Sequence, residues 1–145
     1  MFDTSANLPC SCYSGNIYQE CCQPYHLGDK VVKEAVLLMR SRYSAYALGL
    51  VNYIISTTHP NNSDVRANRQ AWKKRILNFS KKTSFEGLEV INSFEEEQEA
   101  FVTFTAHLKQ NNNNTSFTEK SHFLKVDGLW FYLEGQIVFD NRSCL

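Results

Sequence analysis

Cys10, Cys12, Cys21 and Cys22 place four thiols within thirteen positions, in the stretch CSCYSGNIYQECC. Their spacing, C-x-C-x8-C-C, makes two pairs joined by a short loop, and Gly15 is available for its turn. Thiolates so arranged suit a single tetrahedral ion. Zinc takes Cys sulfur at about 2.3 Å, and a closed set of four protein ligands is the structural kind of site, with no position left for a substrate. Cys21 and Cys22 are chain neighbours whose Cα atoms stand about 3.8 Å apart, a poor match to a disulfide between them. Cross-pairing of the two doublets in an oxidising compartment is the competing reading. His26, four residues past Cys22, is the one histidine placed to substitute as a fourth ligand. The expected cofactor is Zn2+, and its expected role is to organise an amino-terminal segment too poor in apolar residues to fold alone.

The opening MFDTSANLPC lacks the basic and apolar regions of a secretory signal, which predicts a cytoplasmic, reducing setting where thiols stay free for metal. No apolar run approaches the roughly 18 residues that cross a bilayer, so no membrane role is expected. Lys plus Arg and Asp plus Glu each number 15, which removes the basic excess of a general nucleic-acid binder. The charges are unevenly spread. Residues 1–29 hold no Lys or Arg but do hold Asp3, Glu20 and Asp29, so with four thiolates on a dication the segment carries about minus five. Such a surface repels polyanions and favours cationic or apolar partners. A length of 145 residues accommodates one ordinary domain and a small appendage, which places the boundary at 1–29 and 30–145.

Beyond a turn-like link at residues 23–28 the pattern turns helical. Ala35, Leu38, Met39, Tyr43, Tyr46 and Ala47 recur at three-and-four spacing and predict a helix from about Lys33 to Gly49. Arg40 and Arg42 interrupt its apolar stretch, and a buried guanidinium needs a carboxylate or carbonyl partner. The alternatives are a snorkelling or structurally paired arginine and an anion- or substrate-binding one. A short helix over Val51–Thr57 stops at Thr58-His59-Pro60, because proline disfavours helical geometry in the residue before it. Asp64 is then the expected N-cap of a third helix running to about Lys82, with Lys73, Lys74, Arg75, Lys81 and Lys82 on its solvated face. After Thr83 the period falls from 3.6 to 2, and FEGLEVINSF, EAFVTFTAHL, FTEKSHFLKV and LWFYLEGQIV predict four strands, with Asn111 to Asn114 a polar loop. Helices followed by strands predict an α+β fold with one antiparallel sheet. Asp127-Gly128 is a two-residue hairpin loop that sets Val126 opposite Leu129 and Leu124 opposite Phe131. Parity then groups Glu119, Ser121 and Phe123 with Trp130, Tyr132 and Glu134 on one face.

The cysteine stretch resembles the SEC-C motif, the small zinc module found at the carboxy-terminal end of the protein-export motor ATPase and in many bacterial proteins. That motif reads C-P-C-G-S-G-K-x-[FY]-x-x-C-[CH]; both cysteine pairs, Ser14, Gly15 and Tyr18 match it, while Ser11, Tyr13 and Asn16 replace its proline, glycine and lysine. The order of helices and then strands resembles the cone-shaped fold of the nuclear transport factor two (NTF2) superfamily, with its cystatin-like layout of helices on a curved sheet. LMRSRYSAYALGLVNYIISTTHP, residues 38–60, and EKSHFLKVDGLWFYLEG, residues 119–135, together with the cysteine module, are similar to the bacterial YchJ family. Members of that family often carry a second cysteine module; here Cys144 stands alone in NRSCL and is read as inert.

The resemblance implies a pocket between sheet and helices. Arg42, His59, Glu119, Ser121, Phe123, Trp130 and Tyr132 are the expected lining, and an enzyme built on them would use Glu119 or His59 as general base and Arg42 for an anion. Each has an ordinary alternative: His59 closes a helix, Trp130 fills the core, Glu119 neutralises an arginine. No Gly-rich phosphate loop, G-x-S-x-G elbow or H-E-x-x-H helix is present. Two readings follow. The preferred one is a zinc-binding interaction protein with a small-ligand pocket; the other is a small-molecule enzyme or carrier. The expected partner is a protein or a small molecule; oligomeric state is open, and the resemblance adds a homodimer as one option, since an exposed sheet face in that superfamily is often covered by a partner copy.

Overall fold

The three-and-four spacing of apolar residues becomes the long central helix of the computed structural model, which describes residues 7–140. After a one-turn helix α1 (Gln23–His26), which occupies the expected link and carries Pro24 in its first turn, that central helix is α2 (Ala35–Leu48). It buries Ala35, Leu38, Met39, Tyr43 and Ala45, and also Ser41, Arg42 and Ser44, because other elements surround it on nearly every side. Gly49 ends it in the left-handed conformation, φ 72°, and its N–H bonds to Tyr46 O at 3.3 Å. The short α3 (Val51–Ser56) follows.

The expected third helix is two helices, α4 (Ser63–Arg66) and α5 (Arg69–Lys82). Asp64 caps neither. The Asn62 side chain accepts from the Asp64 N–H at 2.8 Å and the Asn68 side chain from the Ala71 N–H at 3.0 Å, while Asp64 reaches out to Arg75 at 2.9 Å. Asparagine competes well for both cap positions, and Ala67 in extended geometry breaks the helix between them. Trp72 and Ile76 of α5 pack with Ala45 and Ile54, which fastens α3 and α5 to α2.

Five antiparallel strands follow: β1 (Ser84–Glu95), β2 (Glu99–Gln110), the two-residue β3 (Asn113–Asn114), β4 (Phe117–Val126) and β5 (Leu129–Asp140). Their order is β1-β2-β4-β5, with β3 paired to β2. The polar loop expected at Asn111 to Asn114 is partly strand: Asn111 and Asn112 take φ 52° and 65° and turn β2 into β3. Asp127 and Gly128, at φ 52° and 80°, form the expected hairpin turn, with Val126 opposite Leu129 and Leu124 opposite Phe131. Farther from the turn the register slips. Phe123 faces Tyr132 but His122 faces Glu134, so Leu133 is an extra residue in β5, and a second slip between Thr118 and Glu119 makes Val138 another. The first slip removes Glu134 from the face it was expected to share and puts Gly135 opposite Ser121 and Ile137 opposite Glu119. Alternate β2 residues Ala100, Val102, Phe104, Ala106 and Leu108 pack with Phe123 and Trp130 against Leu38, Met39 and Tyr43, forming the main core.

The cysteine segment is a small hairpin closed by a Pro9–Ile17 bridge and a Cys10 N–H bond to Asn16 O at 2.8 Å. It touches α2 and β1 at several points. The Arg40 guanidinium donates to Cys12 O at 3.0 Å, Tyr13 donates its O–H to Phe85 O at 2.6 Å, and His26 Nε2 meets Ser41 O at 2.8 Å. No helix among the described residues is long and apolar enough to cross a membrane. Cys144 lies outside the described residues.

Candidate metal centre and internal cavity

Two chain reversals bring the four thiols together. The hairpin presents Cys10 and Cys12, and the 3-10 turn Tyr18–Glu20 returns Cys21 and Cys22 beside them at the start of α1. All four sulfurs lie within 4.8 Å of one another; Cys12 Sγ is 3.5 Å from Cys21 Sγ, which is 4.0 Å from Cys22 Sγ. Four sulfurs held tetrahedrally at about 2.3 Å from one ion stand about 3.8 Å apart, so these separations fit a metal and are far from the roughly 2.05 Å of an S–S bond. Cys10, Cys12 and Cys22 are buried, Cys21 is half-buried, and Ser14 Oγ sits 3.1 Å from Cys21 Sγ. Hydrogen bonds from Cys10 and then Cys22 hold Cys12 well below the ordinary thiol range. Those contacts leave their partners as donors: Cys10, chiefly through its bond to Cys12, is pushed up to about 11, and Cys22, chiefly through Cys10, is also raised. A divalent ion bound here would take all four sulfurs as thiolates.

His26 does not join this set. Its Nε2 faces a carbonyl, Ser41 O, and so carries the proton; Nδ1 then accepts from the Tyr18 hydroxyl at 2.6 Å. Its ring also packs edge-on to Tyr53, with centroids 4.8 Å apart. The expected spare ligand is a pin between α1 and α2. Tyr13 holds the other side. It adopts φ 60°, where the motif has glycine, and its ring packs on Tyr43 while its hydroxyl reaches β1.

The second candidate is a cavity of about 380 Å³ between α2, α5 and the inner face of the sheet. Arg42, Glu119, Ser121, Phe123 and Tyr132, of the seven residues expected there, line it. His59 and Trp130 do not. His59 borders a separate cleft with Phe131 and Arg69, because its N–H bonds to Tyr132 O and turns the chain along the edge of β5. Trp130 is buried beyond the cavity, its indole N–H 3.3 Å from Lys33 O.

Arg42 is 7% exposed, and Nη1 donates to Ile54 O at 3.0 Å, Thr57 Oγ1 at 2.7 Å and Thr58 Oγ1 at 3.1 Å. These oxygens sit where α3 ends and its carbonyls lack helical partners. The guanidinium therefore neither snorkels nor pairs with a carboxylate: its carbon lies 4.6 Å above the Tyr132 ring. Glu119 Oε2 accepts from Ser121 at 2.5 Å and from the Tyr132 hydroxyl at 3.2 Å. Burial, and then the Glu119 charge, raise the Tyr132 phenol far above its ordinary range, so it stays a donor. A side chain at position 135 would overlap the Glu119 carboxylate and come within 2.7 Å of the Tyr132 hydroxyl, so Gly135 makes room for this group. Tyr46, Phe79, Phe85, Phe104 and Phe117 supply the aromatic wall that sequence reasoning misses. Phe104 and Phe117 share strand parity with Glu119, a signal that could have found them.

Comparison with known proteins adds a family context. The family model described as YchJ, middle NTF2-like domain, matches residues 34–135. UPF0225 proteins of Yersinia pestis and Yersinia pseudotuberculosis are 38% identical over 130 residues, covering 87% of this chain and 81% of theirs. Among solved structures, a SEC-C motif containing protein from Rhodopseudomonas palustris is 32% identical with a TM-score of 0.79, covering 89% of this chain and 98% of that one. Another SEC-C motif containing protein, from Psychrobacter arcticus, is 29% identical with a TM-score of 0.73, covering 93% and 85%. The α+β architecture is accordingly the NTF2-like fold preceded by a SEC-C cysteine cluster.

Proposed function

The chain belongs to the YchJ family, and from that premise we propose that it is a zinc-binding interaction protein whose helical layer and sheet also hold a small ligand. The observation that carries the first part is the mutual approach of four cysteine sulfurs within 4.8 Å. Four protein ligands close the coordination sphere, so the ion is structural and serves no substrate. Cys10, Cys12, Cys21 and Cys22 would hold it, and it would fix the hairpin that carries Tyr13 and the helix that carries His26. Thiolates bind zinc in a reducing setting, which favours the cytoplasm. With the motif's lysine replaced by Asn16, the module offers an anionic surface suited to a cationic or apolar protein partner. Native mass spectrometry of the intact chain tests the metal: one zinc per chain is expected, lost on Cys21→Ser. Material that is reduced, folded and free of stoichiometric metal would falsify the assignment.

A second reading, an enzyme or carrier using the cavity, is favoured by Glu119, which is half-buried beside a hydroxyl and a phenol in the cavity wall. Turnover of any retained small molecule, abolished by Glu119→Gln in a folded protein, would support catalysis. Binding retained without turnover supports the carrier.

A further inference from the structure

The polar end of the cavity bears two opposite charges that do not satisfy each other. All hydrogen bonds of Arg42 leave from Nη1, to a carbonyl and two hydroxyls, and no carboxylate lies within ion-pair distance of it among the described residues. Among the described residues its Nε and Nη2 donate no hydrogen bond. Glu119 accepts both of its bonds on Oε2 and, among the described residues, leaves Oε1 without a donor. The Tyr132 ring stands between them, its face under the guanidinium and its hydroxyl on the carboxylate. The rest of the wall is apolar and rich in aromatic rings, with Phe79, Phe85, Phe104 and Phe117 among them.

The requirement on an occupant follows from charge. A simple carboxylate would gain from Arg42 but meet Glu119; a simple amine would gain from Glu119 but meet Arg42. A molecule with both groups answers both, and its body must be apolar to fill the aromatic part. The volume lies at the lower end of the range typical of small-molecule sites, about 300–1,000 Å³, which selects a compact molecule. Resting on the reading of this cavity as a ligand site, we infer that it takes a zwitterion of the α-amino acid class with an aromatic side chain, its carboxylate on Arg42 and its ammonium on Glu119.

The test compares four probes of one shape on the intact chain: L-phenylalanine, 3-phenylpropanoate, 2-phenylethylamine and 3-phenylpropanamide. Affinities are read by calorimetry, with NMR of the Tyr132 and Ser121 amides to locate binding. Phenylalanine is expected to bind at least about tenfold more tightly than any of the others, as one added buried ion pair would give. Glu119→Gln should bring phenylalanine down to the level of phenylpropanoate while leaving phenylpropanoate unchanged or tighter. Equal binding of the zwitterion and any single-charge or neutral probe at these amides overturns the zwitterion assignment and leaves the cavity reading standing. Failure of all four to perturb the amides overturns both. The probe comparison uses the unaltered protein, so a folding defect in the variant cannot obscure it.

Discussion

His26 joins the cysteine segment to the helices by using both ring nitrogens in the neutral state, one donating to Ser41 O and the other accepting from Tyr18. Burial pushes its pKa below the ordinary histidine value, because the imidazolium would lose solvation and its acceptor role. The unfolded chain therefore binds this proton at a higher pH than the folded one. The contribution of His26 to stability is complete above about pH 6.5 and drains away as the pH falls below that value. Urea midpoints measured from pH 7.5 to 5.5 should fall, and His26→Gln should start lower and fall less steeply. Acid would release any metal held by the cysteines from both proteins alike, so the difference between the two curves isolates the imidazole; parallel curves would reject the account. Arg42 and the cysteines show what residue types disclose by themselves. Thiol spacing is local and marks the cysteine cluster in one short stretch. A guanidinium inside an apolar run announces buried polar partners, but which oxygens it meets depends on where α3 ends and how α3 returns along β5, and neither is a property of the arginine.

Caps and bulges set the geometry of the elements, and the two differ in how well a sequence reveals them. The segment NNSDVRANRQAW holds several cap-competent residues, and periodicity alone runs through them as one helix. Backbone geometry decides in favour of Asn62 and Asn68, both extended and both accepting an N–H, over Asp64 inside the first turn of α4. Asn68→Ala should accordingly cost about 1 kcal/mol, and Asp64→Ala less, since only its exposed ion pair with Arg75 is lost. Chemical denaturation of the two variants checks the ranking; the reverse order would restore a single helix capped at Asp64. Strand parity is legible near the Asp127-Gly128 turn because that turn fixes the register, and Phe123 meets Tyr132 as the alternation requires. It fails past Leu133. A bulge is a mismatch between two strands and leaves no mark in either alone, yet it is what brings Gly135 inward to make space for Glu119.

At the scale of the whole molecule, a run of aromatic contacts connects the cysteine hairpin to the cavity. Tyr13 of the cysteine hairpin lies edge-on to Tyr43 with centroids 6.4 Å apart; Tyr43 meets Phe85 at 5.5 Å, Phe85 meets Phe79 at 5.8 Å, and Phe79 meets Tyr46 at 5.8 Å. The last four of these rings line the cavity. Arg40 adds a polar tie from α2 to Cys12 O, two residues from Arg42. Such a connection is invisible to motif reading, since it depends on where the hairpin docks. Its consequence concerns metal removal. Without an ion the hairpin keeps few contacts of its own, and Tyr13 is held at a left-handed φ that a tyrosine leaves readily. A chelator should therefore erase amide-exchange protection in residues 7–29 first, while β2, buried between β1 and β4, stays protected. As Tyr13 withdraws, Tyr43 and Phe85 lose a packing partner, so binding of phenylalanine in the cavity should weaken several-fold before the sheet melts. Reciprocity then requires bound ligand to raise the metal's affinity by the same factor, so that more chelator is needed at equilibrium to remove half of it. If chelation instead collapses both parts in one transition, the hairpin and the sheet form a single cooperative unit. If ligand affinity is untouched while the hairpin opens, the aromatic chain transmits nothing.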